Sequence, residues 1–227
     1  SVFHRGAVQA LAPADTQVTP RLAALVRKEL IRPAKTQLAG EDGFRFRHLL
    51  IRDAAYEALP KAARADLHER FALWLEEHGA ELVELDEIVG YHLERSWLYR
   101  AELEAPDDGV LAAAARRRLG AAGQRALSRS DNVAAANLLE RAAALIPPDE
   151  IDVGLEYDLG FALLWSGATD EALRRADSLA ERAAAVGGVG LHRERVIAHR
   201  AIAGREARIR GDRGVLVAAR LAVVQCR

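Results

Sequence analysis

The stretch Gly43–Pro60, GFRFRHLLIRDAAYEALP, divides the chain into two kinds of pattern. Phe44, Phe46 and His48 alternate with Arg45 and Arg47, the period of a half-buried strand. From Leu49 the period changes, and Leu50, Ala54 and Leu59 suit a helix that Pro60 breaks. His48 sits at the junction, where the reading stays open between a satisfied core or capping histidine and a ligand-sensing one.

Upstream of the junction, Phe3–Leu11 is a short helical run closed by Pro13. Thr19-Pro20 opens a second helix, to Ile31, with Thr19 as its cap and Pro20 at its first position. Leu22, Leu25, Val26 and Leu30 form its apolar stripe, Arg21, Arg27 and Lys28 lie away from it, and Pro33 ends it. Ala34–Leu38 is expected as a strand, Gly40–Gly43 as a turn and Phe44–His48 as the returning strand. Helices followed by a small hairpin make a winged-helix-like module of residues 1–56.

Downstream, Lys61–His78 places Ala63, Leu67, Phe71 and Trp74 on one stripe, and Gly79 is a natural stop. Glu84–Trp97 makes a further helix, with Leu85, Ile88, Val89 and His92 or Leu93 inward. Tyr99–Asp108, with Pro106 and its acidic residues, reads as a linker that closes a helical arm of residues 57–106. From residue 107 the sequence repeats. Gly123, Ala135, Leu139, Ala142 and Pro147 mark one copy, and Leu159, Gly160, Gly167 and Ala172 a second; the glycines and alanines recur at an offset of 37. Gly204 and Gly211 belong to a degraded third copy. Small residues at such places let paired helices approach closely, and a helix-pair period near this length resembles tetratricopeptide repeats. Residues 107–227 are therefore expected to form a TPR-like solenoid, and the whole chain is expected to be mainly α.

Composition agrees with this. Half of the residues are hydrophobic but only 5% are aromatic, and alanine and leucine dominate, which favours tightly packed helices. A net charge of −1 argues against wholesale coating of nucleic acid or membrane. The charge is uneven: residues 1–52 hold nine Lys or Arg against four Asp or Glu, whereas residues 53–106 hold five against thirteen. Cys226 is alone, so an internal disulfide is ruled out and a reducing, cytoplasmic setting is expected. No run has the apolar length of a membrane span, and Ser1–Thr19 lacks a signal-peptide pattern. Without any methionine, the sequence reads as a piece of a longer protein.

Signatures of catalysis are missing from the sequence. It contains neither a GxxxxGK[ST] phosphate loop nor an HExxH pair. His68-Glu69 and His92-Leu93-Glu94 lack the second spaced ligand a metal needs, and Cys226 has no patterned histidine. Ser128, Ser130 and Ser166 lie outside any GxSxG context and read as turn or cap residues. The chain is thus expected to be non-enzymatic, with no metal and no cofactor of its own.

Four segments in order carry a family resemblance: FRFRHLLIRDAAYEALP, ADLHERFALWLE, GYHLERSWLYRAEL and LLERAAALIP. Together they resemble the region just C-terminal to the ATPase core of large bacterial STAND-type signalling proteins, among them adenylate/guanylate cyclase-linked ATPases and MalT-like LuxR regulators. The resemblance runs from about Phe3 to Pro147 and weakly onward. It implies a winged-helix module that closes on a nucleotide-binding core, with ATP or ADP bound only in that missing domain, followed by a helical arm and a sensor array. It further implies that a histidine at the end of the module touches the phosphates of bound ADP. The familiar Met-His-Asp order is replaced here by Phe46-Arg47-His48, so Arg47 or His48 would make that contact.

The function expected from all this is a regulatory sensor. Its partners would be its own upstream ATPase domain and a protein, peptide or small inducer on the repeats, held by Tyr157, Phe161, Trp165 and the Arg-rich segment His192–Arg210, Arg200 included. A homo-oligomer is left open. The alternative is a DNA-binding winged helix with a repeat-based dimerisation arm, in which Arg21, Arg27, Lys28, Arg45 and Arg47 contact phosphates.

Overall fold

The computed structural model describes residues 2–105 and 109–185, and these are mainly helical, with one small sheet. The chain divides into two compact units, Ser1–Ala115 and Arg116–Arg227.

In the first unit the order is β1 (Phe3–His4), α1 (Arg5–Leu11), α2 (Val18–Arg27), β2 (Ile31–Ala34), β3 (Gly43–Phe46), α3 (Leu49–Glu57), α4 (Lys61–His78) and α5 (Leu85–Glu102). The strands form an antiparallel sheet in the order β1-β3-β2, with Phe3 opposite Phe44, Ile31 opposite Phe46 and Arg32 opposite Arg45. Phe44 and Phe46 turn toward the rings of Phe3 and a core of Val18, Leu22 and Ile31, while Arg45 is exposed. The alternation read from the sequence is therefore real as far as Phe46.

Four expectations for this unit are corrected. The helical run expected from Phe3 starts at Arg5, because Phe3 and His4 pair with β3 as β1. The second helix stops at Arg27 rather than Ile31, because Glu29 adopts a left-handed φ of 58° and Ile31 is needed, almost wholly buried, as the first residue of β2. The strand expected at Ala34–Leu38 is accordingly Ile31–Ala34. Its Pro33 is accommodated because β2 is an edge strand, where a residue without an N–H can sit. Thr19 is not the cap of α2 either: Gln17 holds that position and Thr19 lies inside the first turn.

α4 and α5 pack face to face; α5 buries Val89 and Leu93 as expected, whereas of the stripe expected on α4 only Trp74 is buried. On α4 the buried stripe is Ala65, His68, Ala72 and Leu75 with Trp74, a face rotated from Ala63, Leu67 and Phe71, which are half-buried. α5 runs on to Glu102 through the segment expected as a linker, because Val89, Leu93, Ser96 and Tyr99 continue its buried stripe. A serine and a tyrosine extend that stripe, so apolar periodicity alone ends it too early.

The second unit is built from α6 (Val110–Ser128, which begins at the end of the first unit), α7 (Asn132–Ala143), α8 (Val153–Ser166) and α9 (Thr169–Ala185). The repeated small residues occupy equivalent places: Gly123 and Gly160 in α6 and α8, Ala135 and Ala172 in the first turns of α7 and α9. Ala135, Leu139, Ala142, Leu159 and Ala172 are fully buried. A Cβ on Gly123 would stand 2.6 Å from Leu139 Cγ, so glycine there is what lets α6 meet α7. The side chains of Asp131 and Asp152 cap α7 and α8 by accepting from the backbone N–H groups of Ala134 and Leu155. Gly167, at φ 93°, takes the left-handed turn that ends α8. Ser128 and Ser166 donate back to the carbonyls of Arg125 and Leu163 at the ends of their helices, as turn residues do. Gly204 and Gly211 lie outside the described residues.

Candidate functional site

The arginine-rich exposed face of the sheet is where the sequence placed phosphate or nucleotide contacts. Arg45 and Arg47 are exposed, and so are Arg21, Arg27 and Lys28 on α2 and the turn after it. Arg47 stands 3.8 Å from the Glu29 carboxylate, a loose ion pair. The sequence reading passed over Arg32, which lies directly across β2–β3 from Arg45 and is equally exposed. Like charges so placed are destabilising unless something anionic lies between them or near. The register of an edge strand is needed to see this pair, and the linear spacing does not show it.

His48 occupies the N-cap position of α3 in extended conformation, φ −128° and ψ 136°, and its side chain makes no capping bond. It is exposed, so it is neither a core histidine nor a cap. Directly after it, Leu49 and Leu50 are 65% and 82% exposed, and α3 buries no residue at all. A cationic edge, a free imidazole and two bare leucines thus follow one another along the chain.

The other end of α3 meets a buried polar cluster that the sequence reading missed. The Tyr56 hydroxyl lies 2.8 Å from His68 Nε2 and 3.0 Å from the Tyr99 hydroxyl. His68 Nδ1 lies 2.8 Å from His92 Nδ1, and Arg95 donates to the Tyr99 oxygen at 2.8 Å. Arg64 lies over the Tyr56 and Tyr99 rings and donates to the carbonyls of Glu57 and Leu59. The direction of the bonds follows from donor chemistry. Arginine can only donate, so Tyr99 accepts from it and passes its own hydrogen to Tyr56. Tyr56 donates to His68 Nε2, and His68 then carries its proton on Nδ1 and donates to His92. From Arg95 to His92 each hydrogen between neighbours then has an acceptor with both rings neutral, and His92 carries its own on Nε2; the reverse polarity leaves the Tyr99 hydrogen unused.

Electrostatics hold that state. Burial, with Arg95 adding to it, lowers His68 to about 4, and burial with His68 beside it lowers His92 to about 3. Burial pushes Tyr99 up, but the Arg64 and Arg95 guanidiniums that donate to its oxygen favour the phenolate and bring it down to about 8. At neutral pH the cluster is an uncharged hydrogen-bonded chain ending on an arginine. It fastens helices and offers no activated nucleophile. The only hint in the sequence was the pair of histidines at 68 and 92 on successive helices, set aside there because neither had metal-ligand spacing.

In the second unit, Tyr157, Phe161 and Trp165 fall on one stripe of α8 and are half-buried, with the Phe161 and Trp165 rings 5.8 Å apart. Burial raises the Tyr157 phenol to about 12. Arg200 and the segment His192–Arg210 lie outside the described residues. Beneath the surface, Glu156 of α8 is buried between Arg175 and Arg182 of α9, at 3.7 and 3.6 Å.

Among the described residues no helix is long and apolar enough to cross a membrane. No protein-family model, curated protein or solved structure matches the chain.

Proposed function

We propose that the chain is a non-catalytic regulatory module. Its winged-helix-like head docks on a nucleotide-binding domain outside the chain, and its TPR-like helix pairs take a protein, peptide or small inducer. The observation that supports this reading is the run from Arg45 through Leu50. It places exposed cations and an uncapped imidazole beside two bare leucines at the start of a helix that contributes nothing to a core. Exposed apolar residues rimmed by charge are the composition of a protein-docking edge. In such a complex, Arg47 or His48 reaches the phosphates of a nucleotide held by the partner domain. A ligand on the helix pairs changes docking only insofar as it prefers the docked or the free state. The Tyr157, Phe161 and Trp165 stripe supplies apolar contact area for it.

The experiment is direct. The purified chain should neither hydrolyse ATP nor bind ADP. In a longer chain that includes the nucleotide-binding domain, Arg47→Ala with His48→Ala should speed ADP release. Turnover by the purified chain alone would falsify the proposal.

A second reading, duplex DNA binding by the head, draws support from the facing pair Arg32 and Arg45 on the exposed side of the wing. It requires salt-dependent duplex binding that weakens in the Arg45→Ala, Arg47→Ala variant. No mobility shift at low salt removes it.

A further inference from the structure

We propose that α3 is a proton-linked clasp, whose C-terminal end detaches from the α4/α5 hairpin with uptake of a proton by the histidine pair that Tyr56 covers.

The geometry makes α3 easy to lift. It has no fully buried residue, and Leu49 and Leu50 at its start are exposed to solvent. The polar ties that bring it to α4 and α5 cluster at its last turn: the Tyr56 hydroxyl on His68 and Tyr99, and Arg64 beneath the Tyr56 ring and on the Glu57 carbonyl. Detaching Tyr56 leaves His68 Nε2 without its donor and opens a path from solvent to that nitrogen. Once solvent reaches that nitrogen, the ring can take up a proton and donate it to water, which the Tyr56 hydrogen on Nε2 prevents in the closed state. The linkage follows from the surroundings of the ring. From α3 it faces Tyr56; from α5 it faces Tyr91, His92, Arg95 and Tyr99; on α4 Arg64 lies nearby, while the neighbouring Glu69 is turned to Arg100. The charged groups closest to it are cations, so the closed state resists protonation on electrostatic grounds as well as by burial.

The sign is fixed by proton binding. The closed state, with His68 held at about 4, binds fewer protons than the open state. In the open state solvent reaches the ring and relieves part of its burial, so that it titrates closer to the ordinary histidine value of about 6.5 while Arg95 stays beside it. Opening is therefore favoured as pH falls below about 6.5, by at most about tenfold per pH unit for one histidine, and the effect levels off near the closed-state value. This inference is independent of the docking proposal, since it concerns the chain alone.

Amide hydrogen exchange of the whole chain between about pH 5 and about pH 8, corrected for the intrinsic exchange rate, tests it helix by helix. The opening constant of residues 49–57 is expected to be flat near pH 8 and to rise several-fold toward pH 5, with α4 and α5 staying protected. Tyr56→Phe keeps the ring and removes the tie; α3 should then exchange faster at pH 8 by about fivefold or more, with most of its pH dependence gone. A pH-independent α3, or α3 and α4 opening together at every pH, overturns the clasp. If Tyr56→Phe does not fold, the wild-type pH series decides alone by the same criterion.

Discussion

The α4/α5 hairpin and the α6–α9 helix pairs both rest on long helices packed along their length, but they close their contacts by different chemistry. In the second unit the contact residues are Ala135, Leu139, Ala142, Leu159 and Ala172, with Gly123 admitting Leu139 at close range. In the first, small residues such as Ala65 and Ala72 share the seam with His68, Ser96 and Tyr99, and hydrogen bonds run through it from Arg95 to His92. An apolar seam is specified by volume and tolerates changes of solvent; a polar seam is specified by donors and acceptors and depends on their protonation. The difference teaches where each unit can respond to its surroundings.

The largest effect that can break this contrast is a cavity in the apolar seam. Leu139→Ala removes a fully buried side chain that lies directly against Gly123. A loss of about 2–5 kcal/mol is expected, read as lost exchange protection across α6, α7 and α8 with α4 and α5 unaffected. Loss below about 1 kcal/mol would mean that the seam is loosely packed and the contrast false.

The polar seam should respond less to truncation but should acquire a pH dependence. Tyr99→Phe keeps the ring and strands Arg95 and Tyr56, at a cost of about 1–3 kcal/mol to the first unit. In the wild-type protein, His68 and His92 sit below their unfolded value. The stability they support is complete above about pH 6.5 and is lost as pH falls through about 4 and 3. Thermal unfolding of α4 and α5, followed at Trp74 and Trp97, should decline over that window. A flat profile would show that the histidines are charged in the folded state and that the drawn direction of the bonds is wrong.

This contrast also explains what could be read from the sequence. The helix pairs were legible because small and apolar residues at an offset of 37 are sufficient to specify them, and Gly167 and Asp131 punctuate the turns as those residue types do. The alternation of Phe44 and Phe46 was legible for the same reason. What escaped was held by contacts across sequence distance. Glu29 turns the chain left-handed without a glycine to announce it, and so the strand at Ile31 was hidden inside an apparent helix. His68, Ser96 and Tyr99 are polar in the sequence and interior in the fold, so they rotated the inferred face of α4 and shortened α5. Arg32 joined the candidate site only when β2 and β3 were in register. His48, expected as a core, capping or sensing residue, is exposed and uncapping; of those roles the sensing one is carried into the proposed function.

The smallest expected effect tests whether the second unit keeps any protonation chemistry of its own. Glu156 is buried, and burial raises its carboxyl above the ordinary range despite Arg175 and Arg182 pulling the other way. A carboxyl raised on folding supports stability below its unfolded value and loses that support as pH rises through the folded one, the opposite sign to His68. Glu156→Gln mimics the protonated acid. The two arginines are not orphaned by it, since Arg175 keeps Glu140 and Glu171 and Arg182 keeps the Glu150 carbonyl. The variant should therefore match the wild-type protein at about pH 4 and equal or exceed it at neutral pH by less than about 1 kcal/mol. A loss of several kcal/mol at neutral pH would show that the ion pairs outweigh burial, and would give α8 and α9 a polar seam as decisive as that of α4 and α5.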